Sequence, residues 1–223
     1  MPSCRCWELK LVGPGLNFMS LPIVDRHLIE EKLAGKELFK GHFLHAFSDQ
    51  VKLPDGATSA REYIVHPGAV VIIALLGDAI GEVQVVLERQ FRYPLGQVMI
   101  EFPAGKLEPA EDSQRCAQRE LLEETGYQAS QWARAGQLHP AIAYSTEFID
   151  IWFARGLTLG QRQLDQGEFL DVFTASSTEL LQWCRDGQVT DGKTLTAALW
   201  LQNVLMGAWA LNWQTSVAAD APR

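Results

Sequence analysis

The chain has 223 residues, 47% of them hydrophobic and 21% charged, and a net charge of −8. That length and composition suit one well-buried core with a small extension. The negative balance argues against general affinity for nucleic acid or an anionic membrane, so a polyanionic ligand would have to be met by local cations or metal ions.

No basic segment followed by an apolar run opens the sequence, so no signal peptide is expected and a cytoplasmic location is. Cys4, Cys6, Cys116 and Cys184 form no CxxC pair, which disfavours zinc and fits reduced cytosolic thiols. Residues 1–60 read as a mixed extension. A strand over 7–12 is broken by Gly13, Pro14 and Gly15; helix-compatible spacing over 24–34 stops at Gly35; strand-like alternation runs over 37–51; Pro54, Asp55 and Gly56 make a turn. The centre is β-rich. The run AVVIIALL over 69–76 is continuous and apolar, as for a strand covered on both faces. Further strands are expected over 83–87, 98–102, 148–154 and 170–173. Ser176 and Glu179 have capping-box spacing before a helix that Gly187 ends. The very apolar stretch 195–213 reads as a helix buried against a sheet, because Gln202, Asn203 and Asn212 interrupt it as a membrane span. The last ten residues, 214–223, read as a flexible tail. Strands and helices mixed without strict alternation predict an α/β sandwich, with helices on both sides of a mixed sheet.

The chemistry concentrates at residues 105–127, GKLEPAEDSQRCAQRELLEETGY. Residues 117–125 are good helix formers, and Gly126 is placed to end the helix in a left-handed conformation. At about 100° per residue, Glu120, Glu123 and Glu124 fall on one face. Arg119 and Glu123, four apart, can pair. Glu120 and Glu124 find no cation among their helical neighbours Cys116, Ala117, Leu121, Tyr127 and Gln128, and like charges at this spacing cost roughly a few tenths of a kcal/mol. Such carboxylates suit a hard divalent metal ion; the other reading is a solvated acidic helix face.

The spacing of Gly105, Glu111, Arg119, Glu120, Leu121, Glu123, Glu124, Gly126 and Tyr127 resembles the Nudix box, Gly-x5-Glu-x7-Arg-Glu-U-x-Glu-Glu-x-Gly-U with U apolar, at every position. The resemblance implies a Nudix-type α/β/α sandwich with a mixed sheet, plus a small β-rich N-terminal extension. It implies hydrolysis of a diphosphate linkage with Mg²⁺, for which Mn²⁺ is a possible substitute. Such ions neutralise phosphate oxygens and lower the pKa of the attacking water. Glu120 and Glu124 would be the principal metal ligands, with the Ala104 carbonyl adding one and Glu123 secondary. Arg119 and Glu123 would belong to the catalytic machinery, Arg119 and Glu111 by orienting helix and loop. Gly105 would let the loop backbone pass close to the metals.

The flanks narrow the resemblance. Glu88-Arg89-Gln90-Phe91-Arg92-Tyr93, Glu101-Phe102-Pro103-Ala104-Gly105-Lys106 and Arg61-Glu62-Tyr63 look like the ADP-ribose pyrophosphatase branch, over residues 35–213. By that similarity Arg61 and Arg92 would contact substrate phosphate or ribose and Glu101 the substrate or the metal, against the alternative of plain surface charge. Pro140 departs from the branch, standing about two residues short of its usual distance after the box. The stretch from Gln163 to Val172 resembles the branch's acidic loop. Glu168 is its candidate base, with Asp165 and Glu147 as rivals.

The domain reading is an extension over 1–60 for dimerisation and part of the substrate site, a hydrolase domain over 61–213, and the tail. Trp7, Phe18, Phe39, Phe43 and Phe47 in the extension need burial, and a homodimer would supply it. Phe43 and Phe47 could also stack on a base, although core packing competes for both. The expected partner is a small nucleoside-diphosphate compound, with no nucleic acid and no membrane. ADP-ribose, cleaved to AMP and ribose 5-phosphate, ranks ahead of GDP-mannose. A non-catalytic nucleotide-binding module is disfavoured because every box glutamate is kept. A sanitiser of oxidised triphosphates is disfavoured because that branch tends to lack the N-terminal extension.

Overall fold

A computed structural model describes residues 26–77, 83–164 and 166–216. The strand expected over 7–12, the residues Cys4, Cys6, Trp7 and Phe18, and the rival base Asp165 lie outside these.

Strands β1 (Glu31–Lys40), β2 (His45–Lys52) and β3 (Thr58–Ile64) form a three-stranded antiparallel sheet. The main sheet follows: β4 (Ala69–Leu76), β5 (Gln84–Arg92), β6 (Gln97–Glu101), β7 (Ala104–Lys106), β8 (Tyr127–Leu138), β9 (Ile149–Leu159), β10 (Leu170–Ser176) and β11 (Gln214–Thr215). Its order is β10-β5-β4-β9-β8-β11, with β6 also on β5 and β7 also on β4. β4 and β9 run parallel, Ala69 opposite Ile149 and Ala74 opposite Ala154, while the other pairs are antiparallel.

Along β4 the side chains alternate, and both sets are apolar. Val70, Ile72 and Ala74 face one way, Val71 and Ile73 the other, and all five are completely buried. Helix α1 (Ser113–Glu120) covers the first face with Cys116 and Ala117, joined by Leu121 just beyond. Helices α2 (Ser177–Arg185) and α3 (Gly192–Leu205) cover the second with Leu180, Ala197, Ala198 and Leu201. This is the expected α/β/α sandwich on a mixed sheet. The capping box at α2 forms, Glu179 N–H donating to Ser176 Oγ at 3.1 Å and Ser176 N–H to Glu179 Oε2 at 2.9 Å.

Elsewhere the structure corrects the reading. Residues 31–34, expected within a helix, belong to β1, since pairing with β2 along its length outweighs local spacing. The single strand expected over 37–51 is a hairpin turning at Gly41, whose N–H donates to Leu44 O at 2.8 Å. β8 had no expected counterpart. Its alternation breaks at a bulge between Arg134 and Gly136. The helix expected over 195–213 begins earlier and ends at Leu205, where Gly207 takes φ 72°. The residues after it fold back: Trp209 lies against Trp200 at 4.3 Å and Trp213 meets the Phe153 ring edge-on at 6.5 Å. Gln214 and Thr215, expected to fray, pair with Trp132 and Gln131.

Candidate active site

The box begins where Asp112 caps α1, accepting the Gln114 N–H at 2.9 Å. The helix passes into one wider π turn over Leu121–Thr125 and stops at Gly126, φ 78°, as expected. π turns of this kind rotate the side chains that follow them and recur at functional sites. Antiparallel pairing of β7 with β4, Ala104 opposite Val71, brings the loop backbone beneath the glutamates. A Cβ on Gly105 would lie 1.8 Å from Glu120 Cδ, so any side chain there displaces the Glu120 carboxylate.

Arg119 organises the outer part of the site. Its guanidinium grips both oxygens of Glu111 at 2.9 Å, and Nη1 donates to Glu120 at 2.8 Å and Glu123 at 3.0 Å. Nη2 also reaches Lys106 O at 3.2 Å. Glu111 in turn accepts the Glu108 N–H at 2.9 Å, which ties the loop to the helix. The pairing of Glu120 corrects the expectation that it has no cation. Helical spacing leaves it none, but the long side chain of its chain neighbour reaches it.

Glu124 is different. It is 4% exposed, and its hydrogen bond comes from the Ala104 N–H at 3.0 Å. Burial pushes its pKa up to about 10, and the negative charges of Glu88, Glu120 and Glu168 add to the rise. Burial likewise raises Glu120 to about 7 against the opposing pull of Arg119. A second buried carboxylate, Glu88, lies in the middle of β5 and is raised to about 8, first by burial.

Glu101 is also buried, yet its pKa is lowered. Burial acts upward, and the cations beside it outweigh that. Arg92 holds both its oxygens, at 2.7 and 2.8 Å, and Lys193 of α3 makes a further close contact. The Lys193 ammonium also reaches Asp191 at 3.1 Å.

Ala104, Gly105, Lys106, Arg119, Glu120, Glu123, Glu124 and Glu168 line one cleft of about 670 Å³. The structure thus brings Glu168, from the segment before β10, to the box glutamates. Arg92 and Glu101 do not line this cleft, although the Glu124 charge acts on Arg92. Arg61 is elsewhere: on β3, in close contact with Glu30 and bonded to Ser59 and Ala60 O. Glu147 is also elsewhere, 3.9 Å from His66, and Pro140 lies on an exposed turn. Another hollow, of about 520 Å³ between α2 and α3, has Arg185 as its one charged lining residue and offers no acid or base pair for chemistry.

Among the described residues no three acidic, His or Cys groups already stand together at metal-ligand spacing. The hydrogen bonds explain this: Arg119 draws Glu120 and Glu123 outward, while the Ala104 amide draws Glu124. The donors nonetheless fit a hard divalent cation. Hard oxygens converge on one cleft, and burial among like charges makes a cation the favourable counterpart for Glu124.

Three residues of this neighbourhood escaped the sequence. Glu88 figures there only as part of the flank before the box, with no role, because the expected strand stops at Leu87, whereas β5 runs on to Arg92. Lys193 precedes the expected start of its helix. Arg162, which donates to Leu170 O at 2.8 Å, sits in a stretch without periodicity.

Comparison with known proteins gives concordant results. The NUDIX domain family matches residues 65–199. A methanol dehydrogenase activator of Bacillus methanolicus is 37% identical over 78% of this chain and 94% of its own. An ADP-ribose pyrophosphatase of Bacillus subtilis is 32% identical over 79% and 95%. A GDP-mannose pyrophosphatase of Yersinia enterocolitica is 28% identical over 75% and 90%. Among solved structures, an ADP compounds hydrolase superposes with a TM-score of 0.71 at 20% identity, covering 80% of this chain and 95% of that one.

Proposed function

This chain belongs to the NUDIX family and is a Nudix hydrolase, and from that premise we propose that it hydrolyses the diphosphate linkage of a nucleoside-diphosphate sugar, ADP-ribose first, giving AMP and ribose 5-phosphate. The observation that carries the reading is the cleft in which Glu168 joins Glu120, Glu123 and Glu124 from a separate segment. Relatives named as ADP-ribose pyrophosphatases support the choice of substrate.

Glu120, Glu124 and the Ala104 carbonyl would hold Mg²⁺, or Mn²⁺ in its place, with Glu123 secondary. When bound, such an ion supplies charge neutralisation at the phosphate oxygens and an acidified water. The protein's own groups do the rest. Glu168 accepts the proton of the attacking water on a carboxylate oxygen. Arg92, fixed by Glu101 through Nε and Nη2, keeps Nη1 for a phosphate oxygen. Arg119 sets the directions of Glu120 and Glu123 and holds the loop that carries Gly105. Arg61 does not line this cleft, so in this reading it meets substrate from the partner across a dimer.

A homodimer in the cytoplasm is part of this reading. Among the described residues of the extension, Phe39 and Phe43 are 56% and 61% exposed, a surface that a second copy would cover. A monomer by light scattering at micromolar concentration would remove that part.

GDP-mannose is the second reading, favoured by the Yersinia relative and by the displaced Pro140. Product analysis on ADP-ribose, GDP-mannose and 8-oxo-dGTP, with and without Mg²⁺, tests both. The expected result is metal-dependent release of AMP from ADP-ribose with the highest kcat/KM. A higher kcat/KM for GDP-mannose reverses the ranking, and cleavage of the triphosphate alone overturns the reaction.

A further inference from the structure

Two groups beside the cleft, a carboxylate and a guanidinium, each carry a buried atom without a hydrogen-bond partner. One atom is Oε1 of Glu88, whose residue is 3% exposed; the other is Nε of Arg162. Leaving such atoms unpaired forfeits the hydration they had in the unfolded chain. Their positions explain why they matter to each other. Strand alternation puts Glu88 on the same face as Val86, the face that α1 and the box cover. Its neighbours in register are Glu101 on β6 and Val172 on β10. Arg162 comes from the segment between β9 and β10 that also carries Glu168. Its guanidinium is the foremost charge acting on Glu88, and Glu168 is the next.

The segment is fastened at its start to the box itself. Gly160 N–H donates to Gly126 O at 2.7 Å, and Gln163 N–H to Glu123 O at 3.1 Å. At its far end Arg162 Nη2 holds Leu170 O at 2.8 Å, where β10 begins beside β5. Arg162 therefore spans the base of the segment from one end to the other, and its Nε, like Glu88 Oε1, is left without a partner.

We propose that Glu88 and Arg162 pair to seat residues 160–169 against β5, and that this pair positions Glu168 over the cleft. Both are positioning residues: neither touches the substrate, and each acts through Glu168. The proposal rests on the reading of Glu168 as the base.

The test uses the full-length protein with Glu88→Gln, Arg162→Gln, Arg162→Lys and the Glu88→Gln/Arg162→Gln double variant. Three quantities are measured: kcat and KM for ADP-ribose at saturating Mg²⁺, the Kd of Mn²⁺ by calorimetry, and amide exchange over residues 160–169. Each neutral single variant should lower kcat roughly 10- to 100-fold while KM and the Mn²⁺ Kd stay within about twofold. The double variant should be no slower than the worse single one, because both remove one contact. Arg162→Lys should recover most of the loss. Exchange over 160–169 should quicken about tenfold or more in the neutral variants, with β4 and β9 unchanged. Losses that multiply in the double variant, or appear in KM alone, overturn the pair. Weaker Mn²⁺ binding in Glu88→Gln also overturns it, since Glu88 would then serve the metal. If the parent cleaves no nucleoside-diphosphate sugar, the proposed function fails, and the exchange and Mn²⁺ measurements still decide the pairing: unchanged exchange in the variants overturns it.

Discussion

On the α2–α3 face of the central sheet, Ile73, Leu87, Phe153 and Leu201 close on one another as an apolar core. On the α1 face the same strands shelter Glu88, and the box turn adds Glu124, both almost as buried as the leucines opposite. Burial on the first face favours the fold, about 25 cal/mol for each Å² of apolar surface removed from water. The second face gains the same way from Val70, Ile72 and Leu121, but burying Glu88 and Glu124 there opposes the fold, because carboxylates lose hydration and crowd one another. The lesson is that strand alternation gives the sheet two apolar faces, and the face formed by the even positions of β4 also backs the turn that holds the chemistry.

That contrast can be broken from either side. The largest effect is expected for Glu124→Gln, which keeps shape and removes a charged ligand. Turnover should fall about a thousandfold or more at saturating Mg²⁺, while the melting temperature of the metal-free protein stays or rises. Unchanged turnover would remove the metal assignment. Glu168→Gln should lower kcat roughly 10²- to 10³-fold with metal and substrate still bound, as read by calorimetry. If Glu147→Gln or Asp165→Asn shows that loss instead, the base is misplaced.

On the other face, Leu201→Ala should destabilise the protein by about 3 kcal/mol in urea unfolding and leave kcat within about twofold at temperatures where the variant is folded. A large kcat defect there would mean that the faces are not separable. Per pH unit, the smallest effect is a slope of stability with pH. Glu124 has its folded pKa raised above the unfolded value, so the folded state holds a proton that the unfolded chain releases. Stability is therefore full below the unfolded pKa and falls as pH rises toward the folded one. Without metal, the parent should lose stability relative to Glu124→Gln by at most about 1.4 kcal/mol per pH unit between pH 5 and 10. Saturating Mg²⁺ should flatten the difference, and parallel curves without metal would contradict the raised pKa of Glu124.

What the sequence showed followed the same division. β4 was legible residue for residue, because a strand buried on both faces has no polar position to blur it. The box helix and its stop at Gly126 were legible because local propensity and fixed spacing act within one short stretch. β1 was not, since its residues are exposed at every position and only its hydrogen bonds to β2 define it. β8 was obscured by its bulge. In the site, the clustered glutamates declared themselves, whereas Glu88, Arg162 and Lys193 depend on which strand and loop become neighbours. The Arg119–Glu120 contact depends on side-chain reach, which no helical periodicity records.

The parallel pairing of β4 with β9 also bears on how the chain acquires its shape. Ala69 meets Ile149, so the whole box is threaded through the intervening stretch before the central pair of strands can close. Contacts between such distant residues form slowly, because the chain must lose its loop entropy before the pairing is gained. During synthesis the segment carrying Glu120 and Glu124 emerges well before its sheet is complete. The charges that crowd Glu124 include Glu88 from β5 and Glu168 from the segment before β10, so the full crowding of the cleft exists only after the chain beyond β9 is in place.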